Sequence, residues 1–401
     1  MNNSSWRSPT VILLCGSIVV LLALGLRTSF GLFLKPMSNE FGWGREIFAL
    51  AMAIQNLLWG AFQPFAGAVV DRWGAGRVVA TGGIVYAVGL YIMSVTSSPI
   101  ELYLGAGLFV ALGLSSAGLG VVIGAVGRSV SPERRSWSLG IVTAAGSMGQ
   151  LLVVPMGQAF LTHFGWSRTF QILGLCTLIM VPLASALRGK SDLPNDISEQ
   201  HLGEALGEAR RHTGFWFLTA GFFVCGFHVT FIAVHLPAYL TDRGLAAELG
   251  AWSLSIIGFF NIFGSITSGI LGGKLSKKYL LSSLYLLRAV VFLVFIITPL
   301  TTWSAIAFSA CIGFLWLGTV PLTSGLVAQI FGPRYMTMLF GIVFFSHQIG
   351  SFIGVWLGGY LFDTTGSYMM VWWLSVALGI LAATLHLPID ERAVTRAEVN
   401  I

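Results

Sequence analysis

The stretch VILLCGSIVVLLALGLRTSFGLFL, residues 11–34, is predominantly apolar and contains one charged residue, Arg27. A helix needs about 20 apolar residues to cross the ~30 Å hydrocarbon core of a bilayer, and this stretch is long enough. No cleavage-site pattern follows it, so we expect it to remain as a membrane helix rather than to be removed as a signal peptide. The stretch therefore predicts a protein that folds in lipid.

The rest of the chain has the same character. Of its 401 residues, 55% are hydrophobic and only 9% are charged, whereas about a quarter of the residues in a soluble domain are charged. The predicted spans are residues 11–34, 47–70, 78–97, 100–126, 137–161, 169–187, 214–239, 250–272, 280–299, 303–328, 337–361 and 368–387. The predicted fold class is thus an all-α membrane protein with twelve transmembrane helices.

The basic residues predict how the chain is oriented. If both termini are cytoplasmic, the 22 Lys and Arg residues concentrate on the cytoplasmic side, and those on the outer side are Lys35, Arg45, Arg168 and Arg243. This bias follows the positive-inside rule and predicts a multi-pass protein of the inner (plasma) membrane. Orientation in the membrane accounts for the net charge of +6, so membrane lipid is the expected surroundings and a nucleic-acid partner is not expected.

Enzymatic chemistry finds no support in the sequence. The four cysteines lie in apolar spans, without the spacing of a zinc site or a disulfide framework. Phosphate-binding loops, metal-ligand clusters and a nucleophile–base set are all lacking. We therefore expect no cofactor, no metal and no enzymatic activity.

A single long polar stretch, RGKSDLPNDISEQHLGEALGEARRHTG, runs from Arg188 to Gly214 and divides the predicted spans six and six. We predict an N-terminal six-helix bundle over residues 1–190 and a C-terminal six-helix bundle over residues 214–401. Residues 191–213 are predicted to form a cytoplasmic linker that contains a short amphipathic helix. The linker is too short to bury a core of its own.

The two halves resemble each other at a constant offset of about 201 residues. The matched pairs include Gly25 with Gly226, Arg27 with His228, Phe30 with Phe231, Pro36 with Pro237, and Gly149 with Gly350. One match would be chance in a chain with 49 glycines, but a constant offset over separate helix pairs indicates a repeat. The prediction is two six-helix pseudo-repeat bundles, an arrangement found in many secondary transporters.

The loop after the second span, GAVVDRWGAGR at residues 67–77, resembles the G-x-x-x-D-R-x-G-x-x-R loop of the major facilitator superfamily. The twelve spans, their division six and six, the predicted cytoplasmic ends and a degenerate second copy, GILGGKLSKKY at 269–279, strengthen the resemblance, which covers nearly the whole chain. It implies a loop between helices 2 and 3 that controls the conformational cycle, its carboxylate meeting a helix N-terminus of the other half. The implied gating residues are Asp71, with Arg72 and Arg77 pairing nearby, and the glycines Gly67 and Gly74.

A closer resemblance is to the monocarboxylate-porter branch and its bacterial relatives, including oxalate–formate exchangers. Members carry a cation in the first helix before an aromatic-rich run, and LRTSFGLFLKPMSNEFGWGRE, residues 26–46, is similar, with Arg27 matching the cation. Members that carry small monocarboxylates usually have an Arg in helix 8, where this chain has Asn261 and Ser265. Either Arg27 replaces it, alone or with Arg288 or a histidine, or the substrate differs from lactate-like acids.

Two arginines lie inside apolar runs, Arg27 and Arg288, whereas none of the 16 carboxylates does. A membrane-buried guanidinium is costly without an anion, so the missing counter-charge points to an anionic substrate. Arg27 lies roughly 24 Å into its helix at 1.5 Å per residue, too far to reach the cytoplasmic end. The alternative is a structural cation that binds helix carbonyls. For Arg288, on a peripheral helix, snorkelling or bonding between helices is the favoured interpretation.

Several neutral side chains complete the candidate site. His228 and His235 are seven residues apart and share one face of the seventh helix, and His347 lies beside Gln348. Imidazole has an ordinary pKa near 6.5, so His228, His235 and His347 are candidates for proton coupling, although each could simply hydrogen-bond a neighbouring helix. The predicted substrate ligands are Arg27, His228, Asn261, His347 and Gln348. Arg288, Phe231 and Trp316 are secondary candidates.

These observations predict a secondary active transporter that moves small organic anions, monocarboxylates in particular, by alternating access with proton coupling. The alternatives are an anion exchanger, an exporter of a neutral or amphipathic compound, and a non-transporting membrane receptor. The lack of a buried carboxylate argues against a cationic substrate. A receptor would be expected to carry a sizeable soluble domain, and the sequence contains none.

Overall fold

A computed structural model describes residues 8–188, 202–332 and 336–394. Within these residues, eleven helical segments are long and apolar enough to cross a membrane, and the longest, Trp137–Ala184, contains two crossings. The membrane helices are α1 (Pro9–Phe41), α2 (Arg45–Trp73), α3 (Ala75–Ser94), α4 (Pro99–Ser129), α5 and α6 (together Pro132–Leu178 and Met180–Ala184), α7 (Thr213–Asp242), α8 (Ala247–Gly272), α9 (Lys277–Ile297), α10 (Thr302–Phe314 and Thr319–Phe331), α11 (Met336–Thr365) and α12 (Met369–His386). The predicted twelve-helix membrane fold is confirmed.

Helix boundaries depart from the predicted spans where the backbone changes its winding. In α1 the helix Pro9–Thr28 passes through a 3₁₀ segment, Ser29–Phe33, into Leu34–Phe41, so it extends beyond residue 34. Between α5 and α6 the chain turns at Gly165, whose φ of 74° lies in the region that glycine adopts without strain. Hydropathy detects apolar length but not these changes of direction.

The glycine repeat has a structural explanation. A Cβ atom on Gly149 of α5 would collide with the backbone of Leu21 in α1, and one on Gly350 of α11 would collide with the backbone of Phe223 in α7. The two glycines predicted to match at the offset of 201 therefore lie at corresponding crossings, α1 with α5 and α7 with α11. Small residues at these positions let the helix backbones approach closely.

The halves meet along α2 and α11, α5 and α8, and α1 and α7. We call the end of the bundle that contains the α1–α2 turn the Arg45 end, and the opposite end the Arg72 end. At the Arg45 end, Arg45 of α2 forms an ion pair with Asp242 of α7. Asp363 of α11 accepts hydrogen bonds from the backbone N–H groups of Arg45 and Glu46, at 2.9 and 2.7 Å. These contacts hold the two halves together at this end.

The linker region contains a helix, Leu202–Arg211. Residues 189–201 lie outside the described part of the chain, so the predicted boundaries at 190, 191–213 and 214 stay predictions. Indole Nε1 of Trp216, near the start of α7, donates to the carbonyl of Arg210 at 2.9 Å. This contact ties the end of the linker helix to the C-terminal half.

Candidate functional site

Arg27 lies within the membrane-spanning helix α1, in the last turn of its first α-helical segment. Its Nη2 donates a hydrogen bond to Oδ1 of Asn56 on α2. The guanidinium also lies over the indole of Trp59, with 4.9 Å from Cζ to the ring centroid. Asn56 and Trp59 are three residues apart and project from the same side of α2.

Asn56 is oriented by its own helix. Its side-chain nitrogen donates to the carbonyl of Met52 at 2.7 Å, which turns the amide oxygen toward Arg27. The residue is 1% exposed. The amide is therefore held in one orientation before anything binds, and the guanidinium is positioned by a neutral acceptor on one side and an aromatic face on the other.

Arg27 borders a small cavity of about 20 Å³ between the two halves. The cavity is lined from the N-terminal half by Arg27, Thr28, Phe30, Gly31, Met52, Gln55 and Asn56, and from the C-terminal half by Thr230, Ala233 and Val234. Gly31 permits this proximity, because a Cβ there would collide with the carbonyl of Ala233. The cavity thus lies where α1 and α7 cross.

No acidic side chain among the described residues balances the positive charge of Arg27. Among the described residues, no Asp or Glu forms an ion pair with it, and the ion pairs of Lys35 and Arg45 with Asp242 lie at the Arg45 end. Arg27 Nε is buried and has no hydrogen-bond partner within the described residues. The buried cation therefore retains an unused donor and an unbalanced charge.

The structure does not bring His228 and His235 to this cavity. His228 Nε2 is 2.9 Å from the carbonyl oxygen of Ser375 on α12, and its ring packs on Phe292 of α9. His235 bonds both the Tyr368 hydroxyl, at 3.1 Å, and the Val355 carbonyl, at 2.8 Å.

These two imidazoles join helices within the C-terminal half. Although His228 matches Arg27 in the repeat, its shorter side chain stays among α9 and α12.

Asn261 and Arg288 both form hydrogen bonds with backbone groups in the interruption of α10, between Phe314 and Thr319. Oδ1 of Asn261 accepts from the backbone N–H of Leu317 at 3.0 Å. Arg288 donates to the carbonyl oxygens of Leu315, at 2.7 and 3.0 Å, and of Trp316. A broken helix in a membrane exposes backbone groups that must find partners, and these two side chains supply them. Asn261 also donates to Ser147 of α5, across the interface, at 2.9 Å.

His347 and Gln348 lie closer to the central interface. His347 Nδ1 is 3.1 Å from Gln348 Oε1, and the imidazole stacks on Phe344, which contacts Trp59 of the other half at 5.9 Å between centroids. Gln348 packs on α2 where Gly60 leaves room for it. A chain of ring contacts therefore connects Arg27, through Trp59 and Phe344, to His347.

The secondary aromatic candidates lie within the C-terminal half. Phe231 packs on Trp372 at 5.0 Å between centroids, and Trp316 is 4% exposed, beside the interruption of α10. Neither lines the Arg27 cavity.

The predicted gating loop lies at the Arg72 end, between α2 and α3. Gly74, with φ 84°, forms the turn, and Arg72 and Arg77 are exposed. A Cβ on Gly67 would meet no atom within 4 Å. The side chain of Asp71 lies outside the described part of the structure. The gating assignment therefore stays a prediction.

Sequence reasoning missed several residues at these sites. Asn56 and Gln55 form a polar pair inside the apolar span 47–70, a signal that was available in the sequence. Thr230 carries no such signal, because threonine is common in membrane helices. The partnership of Arg45 with Asp242 joins residues 197 positions apart, which no local pattern encodes.

Comparison with known proteins agrees with this architecture. The chain is 26% identical over 377 residues to the uncharacterized MFS-type transporter YcxA of Bacillus subtilis (strain 168), covering 90% of each protein. It is 27% identical over 383 residues to the human monocarboxylate transporter 11, covering 91% of this chain and 79% of that one.

Among solved structures, a bacterial homologue of the human lysosomal transporter Spinster, in an inward-facing and unoccupied conformation, superposes with a TM-score of 0.76. The match has 15% identity and covers 98% of this chain and 99% of that one, which supports the shared fold. The sequence profile of the Major Facilitator Superfamily matches residues 16–355. The chain is therefore a multi-pass membrane protein that belongs to the Major Facilitator Superfamily of transporters.

Proposed function

We propose that this transporter carries small organic anions, with monocarboxylates as the favoured class, and that Arg27 binds the anionic group. The observation that carries the proposal is that Arg27 has no ion-pair partner among the described residues, and that its buried Nε lacks a hydrogen-bond partner among them, beside a cavity between the halves. A cation in the membrane interior is strongly disfavoured unless an anion compensates it. Relatives named monocarboxylate transporters support the substrate class.

The cavity has room for about one water molecule in this conformation, so it must widen before even a small organic acid enters. Widening requires α1 and α7 to separate, which links loading to movement of the halves. We place the Arg45 end on the outer side of the inner membrane and both termini in the cytoplasm, in agreement with the distribution of basic residues. Closure at the Arg45 end then directs release toward the cytoplasm.

Proton symport is the first coupling mode that we propose. His347 supports it, because its imidazole stacks on Phe344, which contacts the Trp59 ring beneath Arg27. A proton on His347 would act on the substrate region through its positive charge, which favours an anion nearby, because the rings of Phe344 and Trp59 do not relay protons. His228 and His235 are enclosed by partners within one half and are less suited to this role.

Anion exchange is the second candidate, and one observation favours it. None of the residues that line the cavity, Arg27 included, carries a group that titrates near neutral pH. A cationic site that must be refilled before it can reorient gives obligatory antiport without a proton.

Transport into proteoliposomes tests the proposal. The purified protein is reconstituted, and uptake of labelled formate, acetate, lactate and pyruvate is measured with an imposed pH gradient, with internal anion, or with neither. Arg27→Ala is expected to lower uptake about tenfold or more in every condition. Stimulation by the pH gradient supports symport, and stimulation by internal anion supports exchange. Flux of neutral or amphipathic compounds with no carboxylate flux would contradict the proposal.

A further inference from the structure

Besides Arg27, the cavity is lined by a second residue whose buried polar side chain lacks a partner among the described residues, Thr230 of α7. It is 2% exposed, its hydroxyl has no hydrogen-bond partner among the described residues, and it lines the cavity from the C-terminal half. Arg27 Nε, unpaired and buried, belongs to the N-terminal half. Two unused donors therefore border one cavity from opposite halves.

Among the described threonines, Thr230 and, on α10, Thr323 have buried hydroxyls without a partner, and of these two Thr230 lines the cavity. Several other threonines are bonded. In α7, Thr219 donates to the carbonyl of Phe215 at 2.7 Å, and Thr241 donates to that of Pro237 at 2.9 Å. Thr28, which also lines the cavity, donates to the carbonyl of Gly25 at 2.9 Å. Bonding to a carbonyl one turn earlier is the ordinary arrangement for a helical hydroxyl. Thr230 departs from it beside the cavity.

We propose that Thr230 is a second anchor for the substrate carboxylate, donating to one oxygen while Arg27 Nε donates to the other. This inference rests on the proposed function and deepens it. A carboxylate is planar and offers two acceptor oxygens, which suits two separate donors. A buried hydroxyl left unpaired is unfavourable, and the substrate oxygen would provide its partner.

The two-sided site has a consequence for transport. A carboxylate held by Arg27 and Thr230 contacts both halves at once, so it binds best where the halves are close at this level. A ligand shifts a conformational equilibrium only through such a difference in affinity between states. Thr230 would thereby select for carboxylates and favour closure around them, whereas Arg27 alone would attract any small anion.

The test compares Thr230→Val, which preserves shape and removes the hydroxyl, with Thr230→Ser, which preserves the hydroxyl. Thr219→Val is the matched control, since its hydroxyl bonds the helix backbone. The probe is the labelled monocarboxylate that the parent protein transports fastest, and KM and maximal rate are measured in proteoliposomes. Thermal stability of each variant is measured without substrate.

We expect Thr230→Val to raise KM about tenfold, with Thr230→Ser and Thr219→Val within about twofold of the parent. A KM for Thr230→Val equal to that of the parent would overturn the inference, as would equal defects in the Val and Ser variants. If the parent transports carboxylates and Arg27→Ala does not, such a result refutes the anchor alone. If the parent carries no carboxylate, the proposed function itself fails.

Discussion

Arg45 at the start of α2 and Asp242 at the end of α7 form a bidentate ion pair across the two halves, with N–O distances of 2.6 and 2.8 Å. Lys35 approaches the same carboxylate at 3.1 Å, and Arg45 also donates to the Tyr368 hydroxyl at 2.8 Å. The Arg45 guanidinium lies on the ring of Phe362, with 3.6 Å from Cζ to the centroid. One carboxylate thus bridges two cations of the opposite half at the Arg45 end and balances one of their two positive charges.

Breaking this pair is expected to open the Arg45 end. In Asp242→Asn, the neutral amide no longer attracts Arg45 and Lys35 of the opposite half, and the loss of this attraction favours separation of the halves. With the native cysteines replaced, a cysteine introduced at Ala233 reports access to the cavity. We expect an impermeant thiol reagent to label it several-fold faster in right-side-out vesicles.

The matched control for this measurement is Arg243→Gln, which changes a neighbouring charge whose described contact is the ring of Tyr239. Its labelling rate should remain that of the parent. Equal labelling of the Asp242→Asn variant and the parent would show that the ion pair does not keep this end closed.

Asp363 is expected to stabilise the protein by capping a helix from the other half. Its two oxygens accept from the N–H groups of Arg45 and Glu46 at the first turn of α2, where a negative charge is favourable. Loss of such a cap typically costs about 1 kcal/mol, so Asp363→Ala should lower the melting temperature of the purified protein. Asp390→Ala, which removes an exposed carboxylate near the C-terminus, is the control. Equal melting temperatures for both variants would contradict the capping role.

Asn56→Asp should inactivate the site without harming the fold. A carboxylate at this position would neutralise Arg27 from within the protein and remove its need for an external anion. We expect carboxylate uptake to fall to the level of Arg27→Ala while the melting temperature is kept or raised. Asn56→Ser, which introduces no charge, should retain more uptake. Wild-type transport by Asn56→Asp would refute the role of Arg27 as the anion-binding cation.

We expect Arg288 to stabilise the fold around α10 rather than to contact the substrate. It donates hydrogen bonds to the carbonyls of Leu315 and Trp316, which the interruption of α10 leaves without helical partners. Arg288→Gln should therefore lower the melting temperature and the amount of folded protein, while KM of the remaining protein stays within about twofold of the parent. A large increase in KM with an unchanged melting temperature would instead indicate substrate binding.

His347 gives a prediction about coupling. In His347→Gln, uptake driven by a pH gradient should be lost while counterflow of internal for external anion continues, because counterflow needs no net proton movement. His228→Gln is the control, since that imidazole bonds the Ser375 carbonyl within one half. Persistent stimulation by the pH gradient in His347→Gln would exclude His347 as the coupling group.

Much of this architecture was predictable because it depends on short-range patterns. Apolar length predicted the twelve crossings, and the constant offset of 201 predicted two similar halves. The structure places the matched Gly149 and Gly350 at corresponding helix contacts. Arg27 was recognisable because an isolated cation in an apolar run is unusual, whichever direction its side chain takes. Such signals do not require knowledge of which helices are neighbours.

The sequence by itself determined that the chain spans a membrane in two similar six-helix halves and that Arg27 lies in an apolar run that contains no acidic residue. Only the tertiary structure decided which side chains meet Arg27 and which meet one another. His228 and Thr230 are two residues apart on α7, yet one bonds α12 and the other borders the cavity. The physical reason is that hydropathy is similar on every face of a helix surrounded by lipid and other helices. The rotation of each helix is therefore set by packing and by distant hydrogen-bond partners.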